Sequence, residues 1–415
     1  MRILYTASVY LYLFVIRITS LFNPKARLWL SGRHGLFSKL KEALEQEEHL
    51  LWFHCASLGE FEQARPLIET LKKRDPSCRI LLTFFSPSGY EIRKDYDKAD
   101  FVFYLPIDTP QNARLFLDIV RPNAVYIIKY EFWYNLLSEI RKRKIPAFLV
   151  SGIFREDQHF FKWYGTWFLN QLRCFTKFYL QDEMSITLLK RVGFQNCVLA
   201  GDTRFDRVAA IAAEARELPL VKAFCENKKL LIVGSSWEKD EALTAGLALA
   251  EQGYKLLIAP HEMGTAELSA TIACLGQERK VLCYSNANLS NAAAADVLII
   301  DNIGMLSSLY KYGSLAYIGG GFGDGIHNIL EAAVWGLPVI FGPNYQKFSE
   351  AHELIELGGA FCIHNQEELK KIVSDLTGDT QRMKIAAEVS AAYVKRKGGA
   401  TEKILSDTGS VRKLD

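Results

Sequence analysis

The sequence predicts an α/β protein of two doubly wound parallel sheets preceded by an apolar helix. Three observations predict it. Short apolar runs alternate with amphipathic stretches of helical length from residue 50 onward. The alternation pauses once, around 201–229, and then restarts. Ahead of it, residues 3–22 are apolar throughout, Arg17 and a few hydroxyls excepted.

The apolar start comes first. A spanning helix needs about 20 apolar residues. Residues 3–22 just reach that length, and Arg17 interrupts the last turns. A long arginine side chain can snorkel to the headgroups, so spanning and interfacial insertion both stay open. Arg2, Arg17, Lys25, Arg27, Arg33, Lys39 and Lys41 all precede the first acid, Glu42. Such a basic flank belongs on the cytoplasmic side, against anionic lipid. No small-residue cleavage site follows, which argues against a removed signal peptide. The alternative is the buried, amphipathic first helix of a soluble domain. We assign 1–24 to a membrane-associating helix.

In the first half the runs 51–57, 79–85, 100–105, 124–129, 146–151 and 177–180 read as strands. In the second half the runs are 229–235, 254–260, 280–285, 296–301, 314–320 and 338–342. They are continuous rather than alternating, as strands covered by helices on both faces should be. Residues 201–229 read as the crossing between halves. The expected domains are 25–203 and 204–380, with a closing segment 381–415 whose helix (381–398) packs back towards the first domain. Ligands of such sheets bind beyond the carboxyl ends of the strands. A site is therefore expected in strand-to-helix loops of both domains, facing a central cleft.

Composition narrows the class. With 49% hydrophobic and 23% charged residues the chain is an ordinary folded protein, neither collagen-like nor disordered. A net charge of +3 argues against a nucleic-acid partner, which calls for a concentrated basic surface. The eight cysteines contain no CxxC pair and mostly sit in apolar runs, which fits free thiols and no structural zinc.

Three loops can carry chemistry. Ser57-Leu58-Gly59-Glu60 ends the run 51–57. Ser-x-x-Glu ahead of a helix is a capping box, and Glu60 at a strand's carboxyl end is equally placed to be a general base. A carboxylate at a helix start stays ionised, so it accepts a proton but is only weakly basic. Glu131 holds the corresponding place after 124–129, either as an acid of the same site or as an exposed helix-start residue. The third loop is Gly319-Gly320-Gly321-Phe322-Gly323-Asp324-Gly325-Ile326-His327-Asn328, followed by Glu331. Its glycines let backbone amides approach a ligand. A helix starting near His327 would aim free N–H groups at a phosphate, and Glu331 would then meet ribose hydroxyls. The alternative is a plain loop. Weaker signals are Ser235-Ser236, Pro260-His261-Glu262 and Arg204, whose guanidinium suits a phosphate. The aromatic stretch 159–168 is core at helical spacing, or a lipid-facing patch.

Taken together these pieces resemble the lipid A Kdo transferases (3-deoxy-D-manno-octulosonic acid transferases). The resemblance runs over nearly the whole chain, through HCASLGEFEQARPLI, LLTFFSPSGYE, YLPIDTP, YEFWYN, AGDTRFDR, VGSSWEKDE, IAPHE and YIGGGFGDGIHNILEAAVWGLPVIFGPNY. It implies a GT-B fold of two Rossmann-like domains. It also implies an inverting transferase with no cofactor and no bound metal. Such an enzyme moves Kdo from CMP-Kdo to a lipid A precursor on the cytoplasmic face of the inner membrane. The resemblance makes Glu60 the catalytic base and Glu131 a second essential acid. It puts Ser57 and Gly59 on the acceptor side. Arg204, Ser235, Ser236, His261, Gly320, Gly321, His327, Asn328 and Glu331 fall on the donor side. Two departures stand out. Lys129-Tyr130-Glu131-Phe132-Trp133-Tyr134 replaces the family's Glu-Thr-Glu-Leu-Trp-Pro, and Pro260-His261-Glu262 replaces Pro-Arg-His. The second removes an arginine, leaving His261 or Arg204 to meet the CMP phosphate. Two other readings compete: a GT-B-shaped nucleotide-sugar epimerase, and a non-catalytic membrane-surface protein that binds sugar nucleotides.

Overall fold

The computed structural model describes residues 1–412 except 46, 48 and 277, with side chains described through 409. Among the described residues fourteen strands form two sheets of seven. In the first sheet they are β1 (Leu50–Cys55), β2 (Arg79–Phe84), β3 (Phe101–Tyr104), β4 (Ala124–Ile128), β5 (Ala147–Gly152), β6 (Lys177–Leu180) and β7 (Cys197–Leu199). Their order is β3-β2-β1-β4-β5-β6-β7, every pair parallel. The second sheet holds β8 (Lys229–Ser236), β9 (Tyr254–Pro260), β10 (Val281–Cys283), β11 (Val297–Ile299), β12 (Leu315–Ile318), β13 (Val339–Phe341) and β14 (Ala360–Cys362). Its order is β10-β11-β9-β8-β12-β13-β14, again all parallel.

Each face of the first sheet has its own core, as the two-residue period of a strand requires. Leu50 and Trp52 of β1 point to a cluster with Leu40, Phe116 and Leu137 of three covering helices. Leu51, Phe53 and Cys55 point the other way, to Phe61 and Leu67 of helix Leu58–Arg74. Each such large side chain, fully buried, stabilises by roughly 1.5–3 kcal/mol. Ile404 and Leu405 of the final helix, Ala400–Arg412, complete that second cluster.

The chain divides into two compact units: Met1–Arg207 with Gly398–Asp415, and Val208–Lys397. These bounds differ from 25–203, 204–380 and 381–415. The start of helix Thr203–Glu214 stays with the first unit because its groups are tied there. The Thr203 hydroxyl donates to the Gln63 carbonyl at 2.7 Å, and Asp206 accepts the N–H groups of Gly399 and Thr401 at 2.5 and 2.6 Å. The closing segment is two helices rather than one. Thr380–Lys397 belongs to the second unit, where Ser390 bonds the Gly359 carbonyl at 3.1 Å, and Ala400–Arg412 belongs to the first.

The first helix, Arg2–Thr19, is long and apolar enough to cross a membrane, and Val9 is its one buried residue. A buried core helix is thereby ruled out. One stripe docks on the first unit. The Tyr5 hydroxyl donates to Asp108 at 2.7 Å, and the Arg2 Nε donates to Asn135 at 3.2 Å. The opposite stripe leaves Ile3, Leu11 and Phe14 open at 85%, 64% and 59% exposure. Asn23 ends this run: its side chain accepts the N–H groups of Lys25 and Ala26, and Pro24 starts a new helix. The aromatic stretch 159–168 divides between its two readings. Phe160 is core, whereas Trp163 stands 94% exposed. Of the cysteines, Cys55 and Cys174 are buried and Cys274 is exposed.

Candidate active site

In the first sheet the strand order reverses between β1 and β4. A reversal of this kind opens a crevice at the carboxyl ends of the two strands, where ligands of α/β sheets bind. The loops there carry Ser57–Glu60 and Glu131. Glu60 occupies the third position of helix Leu58–Arg74 and accepts the Ser57 N–H at 3.1 Å, with the Ser57 hydroxyl also directed to the same Oε2. The capping box thus forms. It uses one carboxylate oxygen and leaves the part-exposed side chain at the strand end. Gly59 is exposed beside it.

Glu131 lies three residues past β4, its side chain 16% exposed. Its Oε2 accepts the Trp133 indole N–H at 2.7 Å and faces the His54 Nε2 at 3.3 Å. Burial, and then the charges of Glu60 and Glu131, push the Cys55 thiol at the end of β1 far above the ordinary thiol range. Both carboxylates therefore act on one point, the carboxyl end of β1. Arg204 lies in this first unit, where its Nε donates to Asp202 at 2.7 Å and its backbone N–H to the same carboxylate at 2.9 Å. Gln63, one turn past Glu60, also donates to Asp202, at 3.0 Å.

The second sheet reverses between β8 and β12. Ser235, Ser236 and Trp237 leave the end of β8, and the glycine turn leaves the end of β12. Both ends are fastened to Asp240, which is 1% exposed. It accepts the Gly320 N–H at 2.9 Å, the Trp237 N–H at 3.0 Å and the Tyr317 hydroxyl at 2.8 Å. The glycines serve packing as well as access. A Cβ on Gly319 would lie 2.2 Å from the Ser235 carbonyl, and one on Gly321 would lie 2.6 Å from the Gly342 nitrogen. Gly320 has φ +88°.

Two expectations for this turn need correction. The helix begins at Leu330, not near His327, and is a single turn ending at Ala333. Asn328 starts it by accepting the Leu330 N–H at 3.1 Å, and its amide donates to Glu331 at 3.0 Å. The amides of Gly320, Gly323, Gly325 and His327 are already bonded within the fold, so they are not a free cradle. What the turn does line is a cavity of about 470 Å³, with Trp237, Lys239, Phe322, Asp324 and His327 on its walls. Beside it Trp237, His261 and His327 stack in a row, with centroids 4.5 and 4.6 Å apart. The Trp237 indole N–H donates to His327 Nε2 at 3.2 Å, so that nitrogen carries a lone pair. Burial and then His261 hold the His327 pKa below its ordinary value, which keeps the ring neutral. The Ser236 hydroxyl turns inward to Glu241 at 2.9 Å, and Ser235 takes a left-handed φ of +52°.

Sequence reasoning placed Glu60 and Glu131 together and gathered Ser235, Ser236, His261, Gly320, Gly321 and His327 around one sheet end. It missed His54, Asp202, Trp237 and Asp240. Among the described residues no group of three His, Cys, Asp or Glu side chains is arranged to hold a metal ion.

Comparison with known proteins follows the same lines. A family model described as 3-deoxy-D-manno-octulosonic-acid transferase (kdotransferase) matches residues 30–207. The 3-deoxy-D-manno-octulosonic acid transferase of Aquifex aeolicus is 27% identical over 368 residues, covering 86% of this chain and 95% of that protein. The protein of the same name from Rickettsia felis is 26% identical, covering 85% and 77%. Among solved structures, the UDP-GlcNAc 2-epimerase of Neisseria meningitidis matches with TM-score 0.60 at 14% identity, covering 86% and 99%. MurG of Acinetobacter baumannii matches with TM-score 0.53 at 15% identity, covering 86% and 98%. At such identities these structures speak to the fold alone, a GT-B pair of Rossmann-like domains.

Proposed function

We propose that this chain is a glycosyltransferase of the Kdo-transferase type, which transfers Kdo from CMP-Kdo to a lipid A precursor in lipopolysaccharide biosynthesis. The reaction inverts the anomeric centre, uses no metal, and takes place at the cytoplasmic face of the inner membrane. The observation that carries the reading is the pair of carboxylates, Glu60 and Glu131, at the reversal point of the first sheet.

The bond from the anomeric carbon to the CMP phosphate oxygen breaks as an acceptor hydroxyl oxygen bonds to that carbon. The hydroxyl proton passes to Glu60. A weakly basic carboxylate suffices when cleavage of the leaving group runs ahead of attack. Ser57 and Gly59 border the acceptor. CMP-Kdo is met by Ser235, Ser236, Gly320, Gly321, Asn328 and Glu331 at the second sheet's reversal, with Arg204 as a further donor-side group. His261, stacked on His327, is a further donor-side group for the phosphate. The exposed apolar stripe of helix Arg2–Thr19, with the basic residues that follow it, supports the membrane location.

Glu60→Gln is the decisive test, because glutamine also completes a capping box and leaves the helix start intact. Turnover of CMP-Kdo with lipid acceptor should fall by about 10²–10⁴-fold, with donor binding unchanged. Near-normal turnover would reduce Glu60 to a helix cap. Release of CMP from the donor without any acceptor would favour an epimerase-like reaction instead.

A further inference from the structure

The second acid of this site has an unusual support. His54 sits in β1, fully buried. Its Nε2 lies 3.3 Å from Glu131 Oε2, and its Nδ1 lies 2.9 Å from the Thr83 hydroxyl on the neighbouring strand β2. That hydroxyl also receives the Trp52 indole N–H at 2.8 Å.

The direction of this chain of bonds follows from what each group can do. An indole N–H only donates. Thr83 Oγ therefore accepts from Trp52, and its own proton must go elsewhere. The available acceptors are His54 Nδ1 at 2.9 Å and the Phe53 carbonyl at 3.4 Å, and the first is much the better placed. Nδ1 also lies 3.2 Å from the Thr83 carbonyl, which can only accept, but the hydroxyl is the nearer partner and the carboxylate facing Nε2 calls for a proton there. With Nδ1 accepting, the proton of a neutral imidazole sits on Nε2 and points at Glu131. The opposite tautomer would set a nitrogen lone pair against a carboxylate. Glu131 Oε2 then receives two N–H groups, from His54 and from Trp133. Among the described hydrogen bonds none reaches Oε1.

We infer that His54 is a positioning residue: Trp52 and Thr83 fix its Nε2–H, which holds the Glu131 carboxylate by one oxygen and leaves the other for the substrate. A histidine bonded behind a carboxylate fixes its plane. Bonds to a charged group are worth more than neutral ones, so losing this one should matter. The inference rests on the reading that Glu131 serves the transfer reaction.

Two measurements on the full-length protein in detergent test it. The first needs no variant of the site's acids. Nitrogen-15 spectra of histidine-labelled protein, with the His54 signals assigned by their loss in His54→Gln, report which ring nitrogen is protonated. A proton on Nε2 alone supports the inference. A proton on Nδ1, in a neutral or a charged ring, overturns it.

The second is a kinetic cycle with CMP-Kdo and a lipid acceptor. His54→Leu should lower kcat by about ten- to a hundredfold with the KM for CMP-Kdo unchanged. His54→Gln, which can still present an N–H, should recover most of the loss. In a Glu131→Gln background His54→Leu should cost little more, because the two residues act as one unit. An equal loss in both backgrounds overturns the inference while leaving Glu131 in its role. Wild-type turnover by Glu131→Gln alone would remove that role, and the inference with it.

Discussion

Replacing Asp240 by alanine tests how the glycine turn is held. The carboxylate serves the Gly320 N–H, the Trp237 N–H and the Tyr317 hydroxyl, at 2.9, 3.0 and 2.8 Å. Gly320 and Tyr317 are buried, so their donors are stranded in Asp240→Ala, each at about 1–3 kcal/mol. Trp237 is exposed enough for water to take its N–H. Part of the loss is offset, since burial of the carboxylate, which raises its pKa, is relieved. A net cost of about 2–4 kcal/mol remains, or roughly 5–12 °C in the unfolding midpoint of a unit this size. Asp240→Asn should cost about 1 kcal/mol, because the amide oxygen can accept both N–H groups while its NH₂ donates to Tyr317. Adding Tyr317→Phe to Asp240→Ala removes one stranded donor and should restore about 1–3 kcal/mol. Thermal unfolding by circular dichroism reads the stability. Amide exchange by mass spectrometry over residues 315–327 reads the turn itself. If Asp240→Ala unfolds with the wild type and Gly320 stays protected, the carboxylate is not what holds the turn.

A pH effect and a membrane effect follow from the first unit. Burial pushes the Asp108 carboxyl up to about 6, against which its hydrogen bonds from Tyr5, Asn135 and Leu136 act only in part. The folded state then holds a proton that the unfolded chain, titrating near 3.8, has lost. Stability is greatest below the unfolded value and falls as pH rises towards 6, by about 3 kcal/mol at pH 7. The unfolding midpoint should therefore rise when pH is lowered from 7 to 5, and Asp108→Asn should flatten that dependence; a midpoint that falls instead would contradict the assignment. Leu11→Asp with Phe14→Asp should cut co-sedimentation with anionic phospholipid vesicles at least tenfold, since each of these side chains is worth about 1.5–3 kcal/mol when buried in an apolar phase. Equal sedimentation would mean that this stripe does not meet the bilayer.

Most of the architecture was legible because parallel strands covered on both faces are written as unbroken apolar runs, such as Ala124–Ile128 and Lys229–Ser236. The strands Cys197–Leu199 and Ala360–Cys362 were not read from the sequence. Each is a three-residue strand at a sheet edge, partly exposed, and too short to leave a run. The two glutamates were legible because their strand ends are local facts. His54 was not, because its meaning comes from Thr83 and Glu131, 29 and 77 residues away. Asp240 carries no local signal, because only the tertiary fold turns it towards Gly320. The glycine turn was read as open backbone for a ligand, but positions 319 and 321 are glycine because neighbouring backbone lies too close for a Cβ.

Ile404 and Leu405 seal the hydrophobic layer beneath strands made far earlier in the chain, from Leu51 to Tyr179. During synthesis the chain must therefore extrude the whole of Val208–Lys397 before that layer can close. Until the last helix arrives, part of the apolar surface around Phe61 and Tyr179 stays uncovered. A nascent chain in this condition is a natural client for a chaperone, and a message cut short before codon 400 would yield a sticky first half beside a second half able to finish folding.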